Sequence, residues 1–208
     1  MNKRATEKRC LHWLLAVAAV CLTFAAVPTA ANSAPTSANS APAAPSTVTT
    51  MAMEGGCTFV FQLPSGYKLR ERATPMPGCD SMVWMAPNAA AESDGVIFQL
   101  GVLKPTVDML KAMQDVNLTQ VAKSILNGKA EGWKEFHPTE PSEVTIANVK
   151  YIRIDFDGVR KDGGTKITGF QMVGEYKEKL VSIVVEAPEK SQSELDSFNR
   201  LAKTIQVQ

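Results

Sequence analysis

Histidine is the scarcest reactive residue in this 208-residue chain: there are two, and only His137 lies beyond the first three dozen positions. Nucleophilic catalysis needs a base beside the nucleophile, so this scarcity narrows the hydrolytic chemistries available. No GxSxG, HExxH, phosphate-cradling GxxxxGK[ST] or GxGxxG sequence occurs. Cysteines number four, and two of them, Cys10 and Cys21, fall in the first 31 residues. Strong net charge is also missing, the full chain standing at +1. Without residues 1–31 there remain 18 Lys and Arg against 20 Asp and Glu, a net charge of −2, which leaves no electrostatic footprint for nucleic acid.

What the chain does have in abundance stands at its start. Lys3, Arg4, Lys8 and Arg9 precede an apolar run from Leu11 to Val27, and the small residues Thr29, Ala30 and Ala31 follow. Charge, apolar segment and small-residue exit are the three parts of a secretory signal, with cleavage expected after Ala31 and delivery to the periplasm or beyond, leaving no stable membrane span. Val20 before Cys21 argues against lipidation, which wants a small residue there. From Thr29 to Thr50 every residue but Val48 is Ala, Pro, Ser, Thr or Asn. Such a composition buries too little apolar surface to offset chain entropy, so residues 32–53 read as a disordered linker. Residues 54–208 then form one domain with one core. Its two cysteines, Cys57 and Cys79, would meet in an oxidising compartment, and a disulfide is the favoured reading, worth about 3 kcal/mol for a loop of this size.

Periodicity gives the domain its elements. Cys57 to Leu63, Ser81 to Ala86 and Val96 to Leu103 read as strands, with Pro87 to Asp94 joining the last two. Met109, Ala112, Met113 and Val116, then Leu118, Val121, Ala122 and Ile125, fall at helical spacing; Asn117 with Gln120 suggests a break near Asp115 and a second N-terminus, and Gly128 an end. Glu143 to Ala147, Val149 to Gly158, Thr165 to Tyr176 and Leu180 to Ala187 are strand-like, and their short connections at Asn148, Arg160 to Gly164 and Lys177 to Lys179 permit only antiparallel neighbours. Ser191 with Glu194 offers a capping box for a closing helix bearing Leu195, Phe198, Ala202 and Ile205. The class is α+β, helices packed on an antiparallel sheet.

The first strand running into LPSGYKL, the central helix, the hairpin of VTIANVKYIRIDF with ITGFQMVGEY, and LVSIVVEAPEKSQSELDSFNRLAKTI resemble the PsbP/Mog1/DcrB-type fold over most of residues 57 to 207. Members include extrinsic proteins of the oxygen-evolving complex, a Ran-binding nuclear protein and bacterial periplasmic or lipid-anchored proteins. The resemblance implies an α/β/α sandwich and an accessory or binding role, with no enzymatic residue to carry over.

Four constellations bear on chemistry. Ile152, Ile154 and Phe156 alternate with Tyr151, Arg153, Asp155 and Asp157, so the second set reads as a solvent-facing strand surface. Tyr and Arg are the residues interfaces favour as anchors, which makes this set the candidate contact site for a protein or small ligand in the cell envelope. Asp155, Asp157 and Asp162 together could hold a hard cation such as calcium, and Met51/Met53, Met82/Met85 and Met109/Met113 could hold copper. Charge partners at Arg153, Arg160 and Lys161, and the helical or strand positions of the methionines, favour a solvated face and core filling instead. His137, before Pro138, reads as an exposed loop residue. The sequence thus points to a secreted accessory or binding protein, with no enzyme activity and no cofactor expected; a periplasmic metal-binding protein is the alternative and a hydrolase the third reading.

Overall fold

The structure, a computed structural model, describes residues 47–53, 56–73, 78–86, 95–112, 116–161 and 164–208. The signal segment, the loop 87–94 and Met113, Asp115 and Asp162 lie outside the described residues.

Eleven strands and three α-helices are described, with a 3-10 turn at Glu189–Ser191: β1 (Thr47–Met53), β2 (Cys57–Leu63), β3 (Lys68–Ala73), β4 (Cys79–Met85), β5 (Ile97–Leu103), α1 (Val107–Ala112), α2 (Leu118–Ala130), β6 (Trp133–Pro138), β7 (Ser142–Ile146), β8 (Val149–Arg160), β9 (Lys166–Tyr176), β10 (Lys179–Pro188), α3 (Gln192–Ala202) and β11 (Gln206–Val207). A wholly antiparallel sheet runs β3-β4-β5-β10-β9-β8-β6, with β7 also paired to β8; a second, small sheet runs β1-β2-β11. The β8-β9-β10 meander at the centre of the large sheet turns through a tight hairpin between β9 and β10, and a second tight hairpin joins β7 to β8. Lys177 (φ 49) and Glu178 (φ 60) take left-handed backbone conformations between β9 and β10, as do Ala147 (φ 47) and Asn148 (φ 69) between β7 and β8. Two-residue turns of this kind carry the right-handed twist the flanking strands need.

Alternation along the strands divides the interior in two. On one face Met82, Trp84, Phe98, Leu100, Ile183, Val185, Phe170 and Tyr151 meet Phe59 and Phe61 of the small sheet and Leu195, Phe198 and Leu201 of α3. Phe61, Trp84, Phe98 and Phe198 interlock there with ring centroids 5.3–5.6 Å apart. The opposite face carries Leu103, Leu180, Val173, Ile152, Ile154 and Phe156 against Val121, Ala122, Ile125 and Leu126 of α2. Asn117 caps α2 through a reciprocal pair of bonds with Gln120, both 2.9 Å. A buried charge cluster ties the same helix to the sheet: Glu186 of β10 pairs with Lys129 of α2 and Arg160 of β8. Burial alone would raise the Glu186 carboxyl, but the two cations and their hydrogen bonds overcome it and hold it at about 2.

Several sequence expectations are corrected. Thr47–Met53 is not linker: it pairs in register with the whole of β2, Thr47 opposite Leu63 and Met53 opposite Cys57. Uncharged β-branched residues become a strand once a partner edge supplies the hydrogen bonds. The helix ends at Ala130, two residues beyond Gly128, and Ser191 makes no side-chain cap bond to α3. Cys57 and Cys79 are both buried, and no disulfide joins them. The reason is geometric. Cys57 faces the core beneath the small sheet, whereas Cys79 has the strand parity opposite to Met82 and Trp84 and packs in the cluster under α1 and α2. Two cysteines on opposite faces of a sheet cannot be bridged.

Candidate functional site

Of the four residues expected to form a solvent-facing strand surface, Tyr151 is excluded outright, because it is 1% exposed. Its ring lies beside Gly174 on the neighbouring strand, ring carbons 2.7–2.8 Å from where a Cβ on that glycine would sit, so only glycine admits it. Burial, with a smaller effect from Cys57, pushes its hydroxyl well above the usual phenol range. The error lies in treating an alternating strand as having one dry and one wet face; here α3 lies over the second face as well.

Arg153, Asp155 and Asp157 do come together with α3, along its flank nearest β8. The Arg153 guanidinium stacks 4.1 Å from the centroid of the Phe170 ring, donates from Nε to Asp155 at 3.1 Å, and donates from Nη2 to Asn199 Oδ1 of α3 at 2.7 Å. Asp155 keeps 47% of its side chain exposed against 19% for Arg153. This planar cation therefore serves as a bridge between strand and helix rather than a point of contact. A planar fork that both stacks and donates is what arginine supplies and lysine cannot.

Two clefts lie on either side of the bridge. The first, ≈ 300 Å³, is lined by Thr139, Asp155, Asp157, Thr168, Gln192 and Asn199, with Phe156, Gly169, Phe170 and Leu195 completing its walls. Asp157 and Thr168 sit directly opposite one another on β8 and β9, and neither side chain makes a hydrogen bond to another described residue. At the outer end Lys166 binds Glu189 at 2.8 Å; that bond, then the Glu189 charge and a smaller effect of Asp157, raise its ammonium. His137 is placed opposite Asp157 on β6, so it belongs to an edge strand and not to a loop. The second cleft, ≈ 380 Å³, lies toward the C-terminal end of α3 and is mainly apolar: Val144, Ile146, Met172 and Ala202, with Thr145, Arg153 and Lys203. The β7–β8 hairpin forms one wall and α3 the other. An acidic, hydrogen-bonding cleft and an apolar cleft thus share one wall, the Arg153–Asp155–Asn199 bridge.

The metal constellations fare differently. Met53, Met82, Met85 and Met109 are buried core residues, and the Met85 sulfur accepts from Arg70 at 2.7 Å. Asp155 is committed to Arg153, and no group of three His, Cys, Asp or Glu among the described residues is placed to hold a metal ion. Sequence reasoning missed Asn199, Thr168 and the apolar cleft. The one legible signal was Asn199 lying one position after Phe198 on the closing helix, at the border of its apolar stripe.

A large antiparallel sheet with a helix layer on each face, closed by a C-terminal helix, is the PsbP/Mog1/DcrB-like fold. The solution structure of cyanobacterial PsbP (CyanoP) from Synechocystis sp. PCC 6803 superposes with a TM-score of 0.56 at 13% identity, covering 82% of this chain and 98% of that one. LpqN, described as involved in cell envelope biogenesis of Mycobacterium tuberculosis, gives 0.51 at 13% identity, over 78% of this chain and 91% of that one. No protein-family model and no curated protein matches the sequence.

Proposed function

We propose that this is a non-enzymatic accessory or binding protein of the cell envelope, secreted by its N-terminal segment, and that it engages its partner along the β8 flank of α3. The observation that carries the reading is the pair of clefts at the Arg153–Asp155–Asn199 bridge: the side chains of Asp157 and Thr168, which make no hydrogen bond to another described residue, stand in an open recess beside an apolar one. Recesses of mixed character that combine apolar walls with a few convergent polar groups are where proteins hold ligands. Extracytoplasmic location rests on the basic start, the apolar run and the small residues at 29–31. Similarity of fold to a protein described as involved in cell envelope biogenesis is in keeping with it.

The test is a substitution that fills the polar cleft without touching the core. Thr168 is half-buried at the cleft wall, and Thr168→Arg places a long cation there. The tagged variant, expressed in the native host, should lose a partner that co-purifies with the wild-type chain while its circular dichroism and melting stay unchanged. Unchanged co-purification would move the binding surface elsewhere, and turnover of a substrate lost on His137→Ala would replace the reading by an enzyme.

A further inference from the structure

The two clefts differ in chemistry and are held in a fixed order, and this order specifies an occupant. Resting on the binding reading above, we propose that the flank of α3 takes an extended peptide segment of a partner protein, carrying a Lys or Arg side chain about four to six residues from an apolar side chain.

The spacing comes from β8 itself. Asp157, at the polar cleft, and Arg153, at the shared wall, are four residues apart on one strand, about 13 Å at the ~3.3 Å rise of β structure. Met172 of the apolar cleft lies opposite Arg153, and Val144 lies opposite Tyr151, two residues further along. Asp157 is therefore separated from the apolar walls by about 13–20 Å, which an extended segment spans with about four to six residues. A compact small molecule does not reach both.

Charge sets the polarity of the segment. The Asp157 side chain makes no hydrogen bond to another described residue, and Lys166, whose ammonium it favours, is bonded to Glu189, so the polar cleft presents the carboxylate oxygens of Asp157 to its contents. Thr139, Thr168 and Gln192 add neutral hydrogen-bonding groups around them. In the other cleft Val144, Ile146, Met172 and Ala202 offer an apolar surface, and Arg153, the nearer cation, is already neutralised by Asp155. A basic side chain entering the first cleft and an apolar one entering the second satisfy both at once. Lys203, at the far rim, disfavours a second basic residue beside the apolar one.

The experiment is fluorescence-anisotropy titration of the processed full-length protein with labelled nine-residue Ser/Thr peptides carrying one Lys and one Leu five positions apart. Control peptides replace Lys by Glu, replace Leu by Ser, or set Lys and Leu side by side. The spaced Lys/Leu peptide should bind, each control should bind at least about fivefold more weakly, and Asp157→Asn should weaken the spaced peptide by about fivefold, the scale of a part-exposed ion pair. Val144→Ser should weaken it too while leaving the Leu→Ser control unchanged. Equal binding of the Lys and Glu peptides, equal binding of the adjacent pair, or absence of binding to the spaced peptide would overturn the proposal. If the spaced peptide fails while Thr168→Arg still abolishes partner co-purification, the flank is the binding site and the ligand class is wrong; if both fail, the site reading falls with it.

Discussion

Replacing Glu186 by Gln is the sharpest test of how the α2 layer is held to the sheet. The side chain is 3% exposed and bonded to both Lys129 and Arg160, which are themselves nearly buried. Its carboxyl lies at about 2, against 4.5 for the same group in an open chain. A group whose folded value is depressed contributes stability that is complete above the unfolded value and is lost as pH falls through the folded one. At about 1.4 kcal/mol per pH unit, the contribution at neutral pH is ~3 kcal/mol, and it fades between about pH 5 and pH 2. Glu186→Gln also takes from the buried Lys129 and Arg160 the carboxylate they share, which strands Lys129, and breaking such a cluster by removing one member costs about 3–5 kcal/mol. Urea denaturation at pH 7 should therefore show a loss of about 3 kcal/mol, and calorimetry a melting point lower by roughly 10 °C. Between pH 5 and pH 3 the wild type should lose stability faster than the variant, so that the two curves converge. Lys129→Met in the Glu186→Gln background should recover part of the loss, because one stranded cation is gone. Parallel acid profiles, or a variant within about 0.5 kcal/mol of wild type at pH 7, would refute the assignment.

Three further outcomes follow from the same structure. Gly158→Ala places a methyl group against the Glu135 carbonyl and 2.9 Å from the Trp133 ring, so β6 must move; a loss of about 1–3 kcal/mol is expected in urea denaturation, and no loss would mean that β6 is not seated on β8. Glu178→Gly relieves a left-handed non-glycine residue in the β9–β10 hairpin and should raise stability by about 0.5–1 kcal/mol, measured as an increased urea midpoint at unchanged slope. Intact-mass analysis after alkylation in denaturant without reductant should find both Cys57 and Cys79 modified, and the melting point should not respond to reductant; a linked pair in peptide mapping would contradict the opposite-face placement.

The centre of the fold was legible because its residues are constrained from two sides at once. In β8, β9 and β10, alternation and connections too short for a crossover leave antiparallel pairing as the sole solution. Strands at the margins were not legible. Lys68–Ala73 (KLRERA) carries four charged residues in six, as an edge strand that resists further pairing should. Trp133–Pro138 ends in proline, and Thr47–Met53 lies in a stretch whose composition alone signals disorder; each is a strand only because a neighbour pairs with it. The site was half legible. Arg153, Asp155 and Asp157 are on the flank of α3, but the pattern that exposed them gave Tyr151 the same face, and nothing in one strand's alternation tells that a helix forty residues later covers it. The cysteine spacing misled for a related reason. Separation along the chain says nothing of sheet face, whereas the parity of Cys79 against Met82 and Trp84 did.

Whether the flank of α3 is where this protein meets its partner is decided most directly by site-specific photo-crosslinking in the native host. A photoreactive residue is placed in turn at Thr168 and at Lys203, which line the two clefts, and at Asn127, exposed on α2 at the opposite face of the sheet. The account predicts one discrete adduct of the same partner from positions 168 and 203 and none from 127. An adduct from Asn127 alone, with positions 168 and 203 silent, would contradict it.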